Sequence, residues 1–128
     1  MFTDIRPRFF PCALVASFRA RPVDVVELEP IWAQHADRAE RSFAELGNYE
    51  LPAEREERAA RLRAVHAATH HEYFLFERDD GRPAGWSTGY LNDPSTYFMA
   101  WTVVLPEYRR RGIYAAFLAH LLPYLHAL

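Results

Sequence analysis

Three consecutive arginines and a glycine, Arg109 to Gly112, stand where an apolar run gives way to a helical pattern. A helix that begins directly after a strand points its unbonded amide N–H groups beyond the strand, and these donors and the helix dipole favour an anion. Gly112 leaves the backbone open to a ligand, and Arg109, Arg110 and Arg111 add positive charge. We predict a phosphate-binding site here. An exposed, solubilising helix start is the alternative that these residues alone leave open.

A second group with chemical potential is the stretch HAATHHEYF, which contains His66, His70, His71 and Glu72. Histidine near the C-terminus of a helix is ordinary, because it interacts favourably with the helix dipole. A metal site would need a further ligand at suitable geometry, so no metal is predicted. His70 and His71 are retained as candidates for a catalytic or substrate-binding role.

Composition excludes several classes of function. The net charge of −2 gives no general attraction to nucleic acid or anionic lipid, and no apolar run approaches the roughly twenty residues of a membrane span. We therefore expect neither nucleic acid nor membrane as a partner. Every basic residue is arginine, so a lysine nucleophile is excluded. Cys12 is the single cysteine, which excludes an internal disulfide and favours a small core residue.

The length of 128 residues predicts one domain, residues 1–128. The stretch FFPCALVASF is the one segment that imitates a signal peptide. Pro11 interrupts it and no clear cleavage site follows, so a cytoplasmic location is predicted.

In the first half of the chain, ALVASFRA, residues 13–20, predicts a strand. A helix is predicted from Pro30 to Gly47, with a weaker start near Asp24, because proline favours the first helical turn and glycine the C-terminal cap. A second helix, residues 52–69, has a thin apolar stripe, and its charges are interpreted as a solvated face.

The second half predicts a hairpin and a covered strand before a last helix. In the second strand of the hairpin, Gly85 and Gly89 fall on the same face. Glycines inside a strand often mark a bulge or the close approach of another part of the molecule. Pro123 is expected to end or kink the helix. The predicted elements are strand 72–78, the turn DDGR, strand 83–91, the loop NDPST, central strand 97–105, and a helix with Ile113, Ala116, Phe117, His120, Leu121 and Tyr124 on one face. This order predicts an α+β fold with a mainly antiparallel sheet.

The stretch TVVLPEYRRRGIYAAFL, residues 102–118, resembles the acetyl-CoA-binding motif of the GNAT superfamily of N-acetyltransferases. In that family an apolar strand leads into a helix start of the form [QR]-x-x-G-x-[GA]. Arg109 and Gly112 match the motif, whereas Tyr114 stands where glycine or alanine is usual. The order of the preceding elements is similar too, so the resemblance covers most of residues 13–127.

The resemblance implies a GNAT-like sheet flanked by helices and direct transfer of an acetyl group from acetyl-CoA to an amine acceptor. Main-chain groups before the corner would bond the pantetheine arm, and amides after it would hold the pyrophosphate. The implied cofactor-binding residues are Thr102, Val103, Val104, Arg109, Arg110, Arg111, Gly112, Ile113, Tyr114 and Ala115.

The family usually continues beyond this helix with further strands and a helix that supplies a catalytic tyrosine, and these are expected to be absent from this chain. Three explanations for the missing elements are open. The chain is a truncated product, or a second copy supplies the missing strand, or the protein is a degenerate family member. An open strand edge favours association, so a homodimer is predicted. The alternative function is a non-catalytic GNAT-like module that binds CoA or a protein partner. The sequence assigns neither the acceptor nor the general base.

Overall fold

The computed structural model describes residues 4–44, 56–57, 60–61, 64 and 70–128. Within these residues the chain forms five strands, two α-helices whose bounds are described, and two short 3-10 turns. The strands are β1 (Cys12–Ala13), β2 (Phe18–Pro22), β3 (His71–Arg78), β4 (Pro83–Asp93) and β5 (Thr96–Val104); the helices are α1 (Val25–Ala44) and α2 (Ile113–Ala127); the turns are Arg6–Arg8 and Pro106–Tyr108.

The five strands form one sheet in the order β1-β2-β3-β4-β5, and every neighbouring pair is antiparallel. Strands β3 and β4 are joined by the predicted turn at Asp80 and Gly81, where Gly81 has φ of 84°. The α+β class with an antiparallel sheet, predicted from the element order, is confirmed.

The helices cover opposite faces of the sheet, which gives two apolar cores. The α1-side core includes Val23, Leu28, Leu75, Trp86, Val103 and Leu105. The α2-side core includes Phe10, Phe18, Ala20, Phe74, Phe76, Ala84, Ile113, Phe117, Leu121 and Tyr124. Each large apolar side chain removed from water stabilises the fold by about 1.5–3 kcal/mol, so the two cores fix the helices on the sheet. The predicted α2 face supplies four of these buried residues, and Cys12 packs at the edge of the α2-side core.

The predicted first strand is wrong in its extent, because residues 13–20 form a hairpin. The amide of Leu14 donates to the carbonyl of Phe18, and the amide of Phe18 donates to the carbonyl of Val15. Ala16 has φ of 46°, which turns the chain. The small residues at the turn let the chain reverse, and the reversal places Phe18 in the core.

Helix α1 begins at Val25 and not at Pro30, so the weaker start near Asp24 is the correct one. The Asp24 side chain accepts a hydrogen bond from the amide of Glu27 at 2.8 Å, which is the geometry of an N-terminal cap. Pro30 lies inside the helix. Its missing bond leaves the carbonyl of Val26, an exposed residue, accessible to water. The predicted end at Gly47 lies outside the described residues.

Pro123 does not end α2, which continues to Ala127. The carbonyl that loses its donor belongs to Ala119, and both Ala119 and Pro123 are exposed. Water can satisfy that carbonyl, while Leu121 and Tyr124 hold the helix through their fully buried side chains.

Strand β5 is an edge strand and not the covered central strand that its apolar composition predicted. Among the described residues it pairs only with β4, and Phe98 on it is 53% exposed. Apolar alternation reports side-chain character but not whether a further strand is present, and this explains the error.

The predicted helix 52–69 falls mostly outside the described residues. Residues 56, 57, 60, 61 and 64 have helical conformation and exposed side chains. No helix in the described part of the chain is long and apolar enough to cross a bilayer.

Candidate functional site

The predicted strand-to-helix corner is present between β5 and α2. The chain leaves β5 at Val104, passes through the 3-10 turn Pro106–Tyr108 and enters α2 at Ile113. Two residues of the corner have left-handed backbone conformation, Arg110 with φ of 64° and Gly112 with φ of 81° and ψ of 14°. Glycine adopts this conformation without the steric cost of a Cβ atom, so Gly112 makes the sharp entry into the helix possible.

The start of α2 has no side-chain cap. Gly112 occupies the N-cap position and provides no acceptor for the first amides of the helix. These amides have no intrahelical partner by geometry. Donors of this kind, in a left-handed turn at a positive helix end, suit an anionic oxygen.

A cavity of about 340 Å³ lies at this corner. Seven of the ten predicted cofactor-binding residues line it, and Tyr108, which the sequence did not single out, lines it as well. The lining residues are Val104, Tyr108, Arg109, Arg110, Gly112, Ile113, Tyr114 and Ala115. The structure therefore brings the predicted pyrophosphate residues, except Arg111, to one concave surface.

The three arginines of the corner differ in their surroundings. Arg109 turns back and donates from Nε to the carbonyl of Val104 at 2.8 Å. Arg111 lies with its guanidinium carbon 5.8 Å from the centroid of the Tyr108 ring and is not among the cavity-lining residues. Arg110 is exposed and lines the cavity. Only Arg109 is fixed on the strand.

The side chains of Thr102 and Val103 make contacts within the sheet and its core, and neither residue lines the cavity. The hydroxyls of Thr102 and Ser87 share a hydrogen bond at 2.9 Å, and Val103 is buried in the α1-side core. Any contact with a ligand at these two positions would therefore use main-chain groups of β5.

A register shift interrupts the pairing of β4 and β5 near these residues. Thr88 pairs with Trp101, but the next residue, Gly89, pairs with Met99, so Ala100 is passed over. A bulge leaves the extra residue out of the ladder and is often found beside active sites. The expectation that a glycine marks a bulge is confirmed at Gly89, and Gly85 lies directly against the backbone of Val103.

A buried carboxylate, Glu72, forms the second polar centre of the molecule. Its side chain is fully buried, and Oε1 accepts a hydrogen bond from the Tyr124 hydroxyl at 2.5 Å. His70 Nε2 also lies 2.7 Å from this oxygen. Within the described residues Oε2 has no hydrogen-bond partner. The alternation of Glu72, Phe74 and Phe76 on one face of β3 is the sequence signal that indicates this burial.

Tyr97 reaches the same region from β5. Its ring crosses over Gly89, the cross-strand neighbour of Glu72, and its hydroxyl is buried without a partner among the described residues. Burial raises the pKa of Tyr97 well above its usual value, and the charge of Glu72 adds to this. For Tyr124, burial is again the largest cause of a raised pKa, followed by its bond to Glu72.

The structure does not bring His70 or His71 to the cavity. His70 bonds Glu72, which is tied to Tyr124, and Tyr124 stands eleven residues after Ile113, or about 16 Å along the helix axis. His71 lies against the rings of Tyr73 and Tyr90. A catalytic role for either histidine stays a prediction. No group of three potential metal-ligating side chains occurs within the residues that the structure describes.

Comparison with known proteins agrees with this architecture. The family model described as the acetyltransferase (GNAT) family matches residues 23–128, which include α1, three of the five strands (β3, β4 and β5), and the complete corner. The comparisons with curated proteins and with solved structures found no significant match. The match spans well over half of the chain, and the chain therefore belongs to the GNAT acetyltransferase family.

Proposed function

We propose that this chain is an acetyl-CoA-dependent N-acyltransferase that transfers an acetyl group directly from the thioester to an amine. The observation that carries the proposal is the cavity at the β5–α2 corner, which the uncapped start of α2 and Gly112 line together. Membership in the GNAT family supports an acetyltransferase-type activity in general.

The proposed binding mode uses main-chain donors first and side-chain charge second. Amides from Arg110 to Ala115 would hold the pyrophosphate, because the main-chain N–H groups in the first turn of α2 have neither an intrahelical partner nor a side-chain cap. The dipole of an exposed helix end contributes only about 0.3–1 kcal/mol. Several amides and the positive charges of Arg109 and Arg110 must therefore act together.

The pantetheine arm would extend from the cavity along β5. Main-chain groups of Thr102, Val103 and Val104 would pair with its amides as a neighbouring strand does. The side chain of Arg109 already donates a hydrogen bond to the carbonyl of Val104. This carbonyl can accept a bond from the arm only if the guanidinium turns away towards the phosphates.

For this reaction the protein must orient the amine, accept its proton and stabilise the oxyanion that forms on the thioester carbonyl. The amine nitrogen bonds to the carbonyl carbon, the carbon–sulfur bond breaks, and the thiol of CoA leaves. No protein nucleophile is needed, which fits the half-buried Cys12, because burial raises the pKa of its thiol. Candidate bases are His70 and His71.

The direct test is titration with acetyl-CoA, followed by thermal unfolding. A ligand at a hundredfold excess over its Kd stabilises the native state by about 2.7 kcal/mol, which would raise Tm measurably. Release of free CoA thiol in the presence of a panel of primary amines then reports turnover. Absence of both a Tm shift and thiol release would reject the proposal.

The second candidate is a non-catalytic GNAT-like module that binds CoA or a partner and forms a homodimer. The feature that favours it is the outer edge of β5, which pairs with no further strand among the described residues and carries the exposed Phe98. A Tm shift with acetyl-CoA but no thiol release would favour this candidate, and sedimentation of the protein would report the dimer. For both candidates we propose a single domain over residues 1–128 and a cytoplasmic location.

A further inference from the structure

Two guanidinium groups lie near the ring of Tyr108, which lines the corner cavity. The guanidinium carbon of Arg78, at the end of β3, lies 5.9 Å from the centroid of the Tyr108 ring. That of Arg111 lies 5.8 Å from the same centroid. Both distances are within the range of cation–π attraction. Residues 33 positions apart in sequence are therefore drawn to one aromatic ring, which itself lines the cavity.

The ring is held in place from the core. Tyr108 meets the buried ring of Phe18 edge to face, with 5.3 Å between centroids. An arginine stacked on an aromatic ring keeps its N–H donors available in the plane of the guanidinium. A hydrogen bond with the Tyr108 side chain also raises the pKa of Arg78. A guanidinium carries five N–H donors, so Arg78 and Arg111 both have further donors for a ligand while Tyr108 holds them in place.

Carboxylates neutralise these two cations only weakly. Within the described part of the chain the carboxylate of Asp80 lies 3.8 Å from Arg78, and Asp79 acts on Arg78 through its charge. Asp80 also accepts a hydrogen bond from the amide of Arg82 at 3.0 Å within the hairpin turn. Arg111 donates to the carbonyl of Glu107 at 3.4 Å, which is long for a hydrogen bond, and no ion pair joins it to a carboxylate among the residues that the structure describes. Two like charges around one ring repel each other, so the arrangement is completed best by an anion between or beside them.

We propose that Arg78 and Arg111, held by Tyr108, form a second phosphate site that binds the 3′-phosphate on the ribose of CoA. The inference rests on the proposed function and specifies the carrier. It assigns to this chain a preference for CoA over a thioester carrier that lacks the 3′-phosphate.

The chemistry of the ligand fits the position and the charge of the cluster. Gly112 and its neighbours hold the pyrophosphate, and the 3′-phosphate lies one ribose beyond it, whereas Tyr108 borders the same cavity beside Gly112. A phosphate monoester carries a charge of about −1.5 to −2 at neutral pH and three acceptor oxygens. Arginine binds such a group through two parallel hydrogen bonds.

The test compares CoA with 3′-dephospho-CoA by isothermal titration calorimetry. The wild-type protein is expected to bind CoA at least tenfold more tightly. Arg78→Gln should reduce this ratio several-fold and leave the affinity for dephospho-CoA almost unchanged. Arg111→Gln keeps the main-chain amide at the corner and should also reduce the ratio, because it weakens binding of CoA more than binding of dephospho-CoA. Arg82→Gln is the matched control, because Arg82 is on the same hairpin, is largely exposed and makes no ring contact with Tyr108. It should leave the ratio at the wild-type value.

Tyr108→Leu tests the support separately, since it keeps both arginines but removes the ring that holds them, and it should lower the ratio as well. Equal wild-type affinity for the two ligands would overturn the second phosphate site and leave the proposed function standing. So would a loss in the arginine variants that is the same for both ligands. Binding of neither ligand would overturn the proposed function together with this inference.

Discussion

The hydroxyl of Tyr124 donates to Oε1 of Glu72 at 2.5 Å, inside the α2-side core and across 52 residues of sequence. Both side chains are fully buried. A buried carboxylate is costly unless it is hydrogen-bonded, so this contact joins the last turns of α2 to the first residues of β3. Because the other end of α2 lines the corner cavity, the same contact helps to set the position of the proposed phosphate-binding amides.

Tyr124→Phe should therefore destabilise the protein by about 1.5–3 kcal/mol, the usual contribution of a hydrogen bond to a charged group. The substitution keeps the ring packing against Phe10 and Phe74 and removes only the donor. Urea denaturation followed by circular dichroism measures the change. Tyr114→Phe on the same helix, where Tyr114 is 45% exposed, should change stability by no more than about 0.5 kcal/mol. Equal stability of both variants would contradict the role given to Glu72.

Gly85→Ala should be far more damaging than Gly81→Ala. A Cβ atom at Gly85 would overlap the carbonyl oxygen of Val103, and a backbone atom cannot move aside as a side chain can. At Gly81 a Cβ atom would meet nothing within 4 Å, and only its φ of 84° opposes the change, so we expect a loss of about 1–2 kcal/mol there. For Gly85→Ala we expect loss of the folded state in the same urea experiment. Similar losses in both variants would disprove the close approach of β4 and β5.

The parts of the fold that were predicted correctly depend on residues that are close together in the sequence. The hairpin at Asp80 and Gly81 follows from turn residues between two apolar stretches, and the corner after β5 follows from Pro106 and Gly112. Seven of the ten residues predicted at the corner then line one cavity.

What the sequence did not reveal depends on long-range contacts. The bond between Glu72 and Tyr124 arises only when β3 and α2 pack together, and no local pattern encodes that pairing. The place of Arg78 at the ring of Tyr108 has the same origin. The edge position of β5 was missed because an apolar strand has a similar composition at the edge and in the centre of a sheet.

Stability should fall above pH 10 because of Tyr97. Burial raises the pKa of this residue in the folded state, whereas an unfolded tyrosine titrates near 10. Below pH 10 both states keep the proton and stability is unaffected; above it the unfolded state loses the proton first, so the free energy of unfolding decreases by at most about 1.4 kcal/mol per pH unit.

Urea denaturation at a series of alkaline pH values measures this decrease. Tyr97→Phe should show a shallower decline than the wild-type protein, since it removes one buried phenol. The remaining decline should come partly from Tyr124, whose pKa burial also raises. Parallel declines in the two proteins would show that the Tyr97 hydroxyl ionises as easily in the folded chain as in the unfolded one.

Gly112→Glu should abolish the rise in Tm with acetyl-CoA, because it places a negative charge where the pyrophosphate is proposed to bind. Gly112→Ala separates charge from backbone conformation. A Cβ atom there would contact only Val15, at 3.8 Å, so the expected effect is a stability loss of about 1–2 kcal/mol from the φ of 81° with part of the ligand response retained. Cys12→Ser, at a residue that does not line the cavity, should keep the full response. A glutamate variant that still responds fully to acetyl-CoA would place the binding site elsewhere on the protein.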